Sequence, residues 1–247
     1  MFLTLVFHEI RPQREIDVGQ RPIHVADGYQ DRLPLLLYNS TENFSEQMSY
    51  LKDNDYNFLT LKQIKDFYET ATPLPDKAIL ITFDDAYQSQ KKYAYPILKA
   101  LGIPAVLFEP SGWVFEEASP YMEAFSQVLS FDEIAEMSDV FTTANHTHHF
   151  HQRHGIEESR CMWESPENVA ADIIRNNDFV TDTEVFAYPF GLYNVKNITM
   201  LEELGFKLAF TTKPGFNSET TNPLELCREV VPSTFTMTDF KIMLGEL

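Results

Sequence analysis

The sequence is poor in cysteine, which excludes a protein held together by disulfides. Cys161 and Cys227 are its two cysteines among 247 residues, and their spacing matches neither a disulfide framework nor a Cys-x-x-Cys metal site. We therefore expect two reduced thiols. A chain of this length is able to bury a hydrophobic core without covalent cross-links, so we expect one domain that spans residues 1–247.

Basic residues are also few, which argues against two classes of partner. Nineteen Lys and Arg stand against 37 Asp and Glu, for a formal net charge of −18. Nucleic acid and anionic membrane surfaces would repel a chain this acidic. The acidic excess lies mainly in the second half of the sequence. We interpret it as a solvated surface, with a site for neutral or cationic ligands as the alternative.

Long hydrophobic runs are missing too. The apolar run at residues 1–7 ends at His8 and has no cation before it, whereas a membrane helix needs about 20 apolar residues and a signal peptide a longer apolar region. We expect no membrane span and no export signal in the chain as given. The protein would then act in the cytoplasm as written, or at the cell surface if an upstream segment is removed.

Short apolar runs bounded by polar turns predict buried strands. The predicted strands are Phe2–Phe7, Ala78–Phe83, Ala105–Phe108, Val140–Thr143, Val185–Tyr188 and Leu208–Thr211. The helical patterns between them include Phe44–Leu51, Leu61–Tyr68, Pro166–Ile174 and Ile198–Leu204. Because strands alternate with helices, the sequence favours a parallel α/β sheet or a (β/α) barrel over a β-sandwich.

Unusual polar residues follow these strands at their C-terminal ends. They are His8, Asp84, Asp85, Glu109, Asn145 and His146. In a (β/α) barrel the C-terminal ends of the strands converge on one face, where the loops build the active site. We therefore expect these side chains to lie close together although they are far apart in the sequence.

Two of these segments carry chemistry. Asp84 and Asp85 offer adjacent carboxylates, which suit acid–base catalysis but also a turn or a helix N-cap. Residues 146–154 hold five of the seven histidines, and imidazole is the commonest metal ligand in proteins. A histidine tract that binds metal adventitiously is the alternative. Because the tract is internal, interrupted and preceded by an apolar strand, we predict a metal site.

At this point three motifs resemble those of the polysaccharide deacetylases, a group of carbohydrate esterases. Thr82-Phe83-Asp84-Asp85 is similar to the first motif of that family. His146-Thr147-His148-His149-Phe150-His151 is similar to the second, in the form found in deacetylases of the poly-β-1,6-N-acetylglucosamine type. Ala187-Tyr188-Pro189-Phe190-Gly191 is similar to the third. The resemblance runs from His8 to about Arg228.

The resemblance implies a distorted, TIM-like (β/α) barrel with its site at the C-terminal ends of parallel strands. It implies hydrolysis of N-acetyl groups on a polysaccharide or oligosaccharide that contains N-acetylglucosamine. Carried over by position, it makes Asp85, His146 and His151 the ligands of a divalent metal and Asp84 the general base. Zn²⁺ is the expected metal, with Co²⁺ and Ni²⁺ as alternatives.

The chain departs from the family pattern at three points. Ala86 follows the Asp pair where the family usually has glycine. Ala187 stands where many members have an arginine that orients the base, and Arg228, after the strand-like Leu224–Cys227, is the candidate substitute. No histidine follows His154, so the C-terminal histidine that many members use as general acid is missing.

His8 is the predicted replacement for that acid, because it ends the first strand and relatives of the biofilm type carry a histidine in an N-terminal strand of this kind. We expect His8 to stand across the metal from Asp84. A histidine bonded to a neighbouring loop is the alternative.

Other residues are predicted to surround the site. Trp113 and Phe190, together with Pro189, are expected to contact the sugar. His149 and Arg228 are expected to orient the residues that bind the metal and the substrate. Most other aromatic side chains are expected in the core.

Two further functions are consistent with the sequence. The first is another metal-dependent amide or ester hydrolase on the same scaffold, because a fold and a metal site do not determine a substrate. The second is a catalytically weak carbohydrate-binding relative, which the missing arginine favours. The oligomeric state is open at this point.

Overall fold

The computed structural model describes residues 1–246, and its central element is a curled parallel sheet. The main strands are β1 (Phe2–Phe7), β2 (Ala78–Asp84), β3 (Ala105–Glu109), β4 (Phe141–Asn145), β5 (Asp182–Ala187), β6 (Leu208–Phe210) and β7 (Glu229–Val230). Their spatial order is β6-β5-β4-β3-β2-β1-β7, and the short strand Asn57–Phe58 pairs with β2. All of these pairings are parallel.

Helices lie between the strands, as in repeated β/α units. The longer ones are α1 (Thr41–Asp53), α2 (Leu61–Thr70), α3 (Tyr95–Leu101), α4 (Pro166–Asn176), α5 (Val195–Glu203) and α6 (Met237–Met243). Shorter helical segments are Gln13–Ile16, Leu35–Leu37, Gln90–Ala94, Ser111–Trp113, Phe131–Ala135, Arg160–Trp163 and Pro189–Gly191. Side-chain caps explain several starts: Ser40 accepts a hydrogen bond from the third residue of α1, and Ser165 does so for α4.

Short strand pairs add to the loops around the sheet. Glu9–Arg11 pairs with Tyr38–Ser40 and Ile23–His24 with Ser126–Gln127, both in parallel, whereas Arg153–His154 and Glu158–Ser159 form an antiparallel hairpin. Within residues 1–246, no helix is both long enough and apolar enough to cross a bilayer.

The sheet has two buried faces, and the alternation of side chains along each strand assigns residues to them. On β2, Ile79, Ile81 and Phe83 belong to the core cluster that also contains residues of α1 and α3. Leu80 belongs to a second cluster on the opposite face. In this second cluster the rings of Phe108 and Phe210 are 5.5 Å apart. Because β4 and β5 lie between the strands that carry these two rings, their contact shows how strongly the sheet curls.

The predicted fold class is confirmed, with differences at the ends of elements. The strand predicted at Val185–Tyr188 runs from Asp182 to Ala187. The strand-like reading of Leu224–Cys227 is wrong, since this segment forms one isolated bridge, from Leu226 to Phe210. The pairing with β6 does not continue, because the N–H of Arg228 donates to the carbonyl oxygen of Lys213, while the side-chain amide of Asn217 bonds both backbone groups of Cys227.

Candidate metal centre

The register of the parallel strands builds the floor of the site. Phe7 on β1 pairs with Phe83 on β2, so the next residues, His8 and Asp84, lie side by side at the C-terminal ends of neighbouring strands. The end of β4 delivers His146. Nε2 of His8 is 3.8 Å from Oδ2 of Asp84, and Nε2 of His146 is 3.9 Å from the same oxygen.

Three buried side chains meet beside this pair in an arrangement that could hold a cation. Oδ1 of Asp85 is 3.3 Å from Nε2 of His151 and 3.6 Å from Nε2 of His146, and the two ring nitrogens are 3.1 Å apart. One ligand atom from each residue lies within 4.8 Å of the others. Atoms that share one Zn²⁺ at about 2.0–2.2 Å have separations of this size.

The protonation of these groups fits a divalent cation. Nδ1 of His146 donates to the carbonyl oxygen of Ala187 at 2.8 Å, which leaves the lone pair of Nε2 facing the centre. Burial lowers the pKa of His146 and holds the pKa of His151 well below its ordinary value, so both rings are neutral. Oδ1 of Asp85 is buried without a hydrogen-bond partner. Burial and the charge of Asp84 raise the pKa of Asp85, a cost that a bound cation would offset.

A strained turn presents the two acids. Asp85 and Ala86 have φ values of 72° and 56°, in the left-handed region. Ala86 occupies the conformation that suits the glycine of the family pattern, at a cost of about 1–2 kcal/mol. Gln90 secures the turn, because its Nε2 donates to the carbonyl oxygens of His8 and Asp84 at 2.9 and 2.7 Å.

The Asp84 carboxylate is paired with a buried arginine. Nη1 and Nη2 of Arg228 donate to Oδ1 and Oδ2 of Asp84 at 2.7 and 2.8 Å, and Nε donates to the carbonyl oxygen of Thr211 at 2.8 Å. Arg228 is 1% exposed. Burial raises the pKa of Asp84, but the positive charge and hydrogen bonds of Arg228 outweigh it, so the pKa lies below its ordinary value and the group is ionised. Arg228 therefore supplies the arginine beside Asp84 that the family pattern places at the position of Ala187.

His8 lies beside Asp84, and the expectation that it stands across the metal from Asp84 is wrong. The reason is the β1–β2 register, which makes the two residues neighbours. Burial lowers the pKa of His8 to about 4, against the opposite effect of Asp84. The ring is therefore neutral near pH 7 and would have to receive a proton before it could donate one.

The floor opens into a cleft between two walls. One wall is lined by residues 31–34 and Leu37, and the other by Phe190, Gly191 and Thr212. Arg153 links the walls, because its Nη2 lies 2.8 Å from Oδ2 of Asp31 and its guanidinium lies 5.0 Å from the centre of the Phe190 ring. Gly191, at φ 70°, is required here, since a Cβ would lie 2.0 Å from Oγ1 of Thr212.

The three predicted sugar-contact residues differ in their access to the cleft. Phe190 is half-buried at the cleft, with its ring 4.4 Å from that of His151. Trp113 reaches the cleft but is 1% exposed and packs edge-on against His151 at 4.3 Å, so it supports that ring and offers a sugar little surface. Pro189 is buried and does not line the cleft.

Two polar residues predicted near the site do not line the cleft. The side chain of His149 is 50% exposed and has its Nδ1 3.6 Å from Oδ2 of Asp27, so the expectation that it orients the metal ligands is wrong. The backbone turns sharply before His149, because Thr147, between His146 and His151, has a φ of 73°. Glu109 is buried, and burial raises its pKa to about 8, so it is neutral near pH 7.

Several residues that shape the site lie outside any motif in the sequence. Gln90 follows the Asp pair by a few positions, and only its two hydrogen bonds reveal its function. Asp31 and Arg153 form one wall contact across 122 positions. The only signal in the sequence is that Arg153 is a charged residue near the end of the histidine tract. That position does not show that Asp31 is its partner.

Comparison with known proteins agrees with this geometry. A family model described as polysaccharide deacetylase matches residues 71–209. Poly-beta-1,6-N-acetyl-D-glucosamine N-deacetylase of Staphylococcus aureus strain MSSA476 is 30% identical over 179 residues, which cover 70% of this chain and 60% of the relative. The enzyme of the same name from Escherichia coli K12 is 25% identical over 207 residues, 71% of this chain and 31% of its own. The chain thus spans 60% or less of the length of these two relatives.

Solved structures share the fold. IcaB from Ammonifex degensii superposes with a TM-score of 0.78 at 22% identity, covering 100% of this chain and 97% of its own. The Streptococcus pyogenes deacetylase PplD in complex with acetate gives a TM-score of 0.76 at 20% identity, covering 98% and 97%. At these identities the likeness supports the fold.

Proposed function

The chain belongs to the polysaccharide deacetylase family, and from this premise we propose that it hydrolyses N-acetyl groups on a polymer of N-acetylglucosamine. The proposed substrate linkage is β-1,6, because the relatives from S. aureus and E. coli are named for that polymer. The products would be acetate and a free amine on the sugar.

One observation carries the proposal. A triad of Asp85, His146 and His151 lies at the floor of a cleft, beside a carboxylate that is held by Arg228 and contacts His8. Amide hydrolysis needs a polarised carbonyl, a base for the attacking water and an acid for the departing nitrogen. The floor of the cleft offers a group for each task.

Asp85, His146 and His151 would hold a divalent cation, for which we propose Zn²⁺. When bound, such a cation polarises the acetamide oxygen and makes water a better nucleophile. Two imidazoles and one carboxylate leave open positions for these oxygens. Co²⁺ and Ni²⁺ accept the same donor set, so the ligands alone do not select among the three metals.

Asp84 would act as the general base. Its carboxylate is ionised, and Arg228 fixes both of its oxygens, so it can take a proton from a water at the cleft floor without turning away. The alternative of a catalytically weak relative was favoured by the lack of an arginine that orients the base. Arg228 occupies that position beside Asp84, so this support is removed.

His8 would deliver the proton to the departing nitrogen. The ring is neutral before the reaction, so its proton has to come from the water by way of Asp84, across the 3.8 Å between Oδ2 and Nε2. Catalytic hydrogen bonds are often long without substrate and tighten in the complex. This path returns Asp84 to its ionised form and consumes one water for each amide broken.

The function is tested by acetate release from a β-1,6-linked N-acetylglucosamine pentamer. We expect protein treated with a chelator to release none, and added Zn²⁺, Co²⁺ or Ni²⁺ to restore release. The β-1,4-linked pentamer and an acetyl ester serve as comparison substrates. Binding of the oligomer without acetate release under any metal would instead indicate the carbohydrate-binding relative, and ester hydrolysis alone would indicate another hydrolase.

His8→Ala is expected to keep the metal and to lower turnover by a factor on the order of 10²–10⁴, the usual contribution of a general acid. The measurement is acetate release at saturating substrate, with metal content determined on the same sample. His24→Ala is a matched control, since this histidine lies outside the cleft floor in a short strand. Undiminished turnover of His8→Ala would assign the proton delivery to another group.

A further inference from the structure

The loop between the two ligand histidines has an unfavourable backbone. Thr147 is β-branched, buried and at φ 73°, a conformation that such residues rarely adopt. Its hydroxyl is buried without a hydrogen-bond partner, so the side chain does not stabilise the turn. The loop needs support from elsewhere to keep this shape.

The main support comes from Asp172 on α4. Its Oδ2 accepts the backbone N–H of His148 at 2.8 Å, and its Oδ1 accepts the N–H of His149 at 2.8 Å. The Asp172 side chain is buried, at 8% exposure. The two oxygens of this carboxylate thus accept hydrogen bonds from two consecutive N–H groups, which lie between His146 and His151 in the sequence.

Two further contacts hold the same loop from other sides. Oδ1 of Asn145 accepts the N–H of Thr147 at 2.9 Å, and the N–H of Gly112 donates to the carbonyl oxygen of His148 at 2.9 Å. A Cβ on Gly112 would lie 2.3 Å from that oxygen. Each of these contacts holds one backbone group of the loop, whereas Asp172 binds two consecutive N–H groups.

We propose that Asp172 is a positioning residue for the metal centre, which holds the loop so that His146 and His151, and not His148 and His149, face Asp85. The inference rests on the proposed metal site and adds a residue that binds neither metal nor substrate. With the N–H groups of His148 and His149 held against α4, the side chains of these two residues point away from the cleft. Nδ1 of His148 accordingly lies 2.8 Å from Oγ of Ser111.

The test is Asp172→Asn, which preserves shape but replaces one acceptor oxygen by an NH₂ group that faces an N–H donor. Metal affinity is measured by competition between the protein and a chromophoric chelator for Zn²⁺. The visible absorption of bound Co²⁺ reports the ligand geometry. We expect affinity to fall roughly 10- to 100-fold, the range for residues that orient metal ligands, and the Co²⁺ spectrum to change.

Val169→Ala is the matched control, because Val169 is a buried residue of the same helix that packs in the core and lies outside the loop contacts. It lowers stability without touching the loop, so it separates loss of fold from loss of positioning. We expect Val169→Ala to lower the melting temperature of the metal-free protein and to keep wild-type Zn²⁺ affinity. If Asp172→Asn does not fold, Asp172→Ser, which keeps one acceptor, is measured in the same way.

Wild-type Zn²⁺ affinity and an unchanged Co²⁺ spectrum in Asp172→Asn would overturn the inference, whatever its melting temperature. These readouts use metal alone, so they are independent of acetate release. A wild-type protein that binds metal but releases no acetate would contradict the proposed function and leave the positioning result standing. A wild-type protein that binds no divalent metal would overturn both.

Discussion

His151→Ala is expected to abolish stoichiometric binding of a divalent metal and to reduce acetate release to the background rate. The Nε2 atom of His151 lies 3.3 Å from Oδ1 of Asp85 and 3.1 Å from Nε2 of His146. Without it, the described triad keeps one imidazole and one carboxylate. Loss of a direct ligand should exceed the 10–100-fold loss of affinity that is typical for residues orienting a ligand.

The control is His149→Ala, two positions away. Its side chain is half exposed and faces Asp27, so we expect full metal content and near-normal turnover. Metal analysis of the purified variants, together with Zn²⁺ competition, measures both. Retention of metal by His151→Ala and loss by His149→Ala would show that the two ligand histidines are not five positions apart.

Asp84→Asn is expected to keep the metal and to lower turnover by a factor on the order of 10²–10⁴, because an amide cannot accept the proton of the attacking water. Its acetate release at saturating substrate is the measurement. The variant also leaves Arg228 facing a neutral group in a buried place, which costs up to about 3–5 kcal/mol of folding free energy. Turnover is therefore measured below the melting temperature of the variant and divided by the folded fraction.

The matched variant for this test is Asp85→Asn, which changes the neighbouring acid in the same way. We expect it to lose metal affinity, since Oδ1 of Asp85 is the carboxylate atom nearest to both ring nitrogens. Together the two variants separate the base from the ligand. Loss of metal in Asp84→Asn, with full metal content in Asp85→Asn, would show that Asp84 is the metal ligand and Asp85 the base.

The difference between expected and observed positions is clearest for His8. Sequence reasoning placed it correctly at the end of the first strand, because the apolar run Phe2–Phe7 stops there. Its neighbour could not be identified in the same way. The partner depends on which strand lies beside β1 and in which register, and the pairing of Phe7 with Phe83 decides both.

The histidine tract illustrates the same limit within nine residues. Its composition predicts a metal site, and the family resemblance selects His146 and His151 as ligands. Which rings face the cleft is nevertheless determined by the positive φ of Thr147 and by the carboxylate of Asp172, which comes from a helix beyond the tract. Tertiary hydrogen bonds therefore set the orientation that the spacing leaves open.

The α/β class, the strands and the residue types at their ends can be predicted from the sequence, because periodicity and turn chemistry act over a few neighbouring positions. Which of those residues contact each other depends on how the strands pair in three dimensions. The bond between Arg228 and Asp84 joins positions 144 residues apart, and the bond between Arg153 and Asp31 joins positions 122 residues apart. Such contacts form once parallel strands pair and curl, so the spacing of residues along the chain does not specify them.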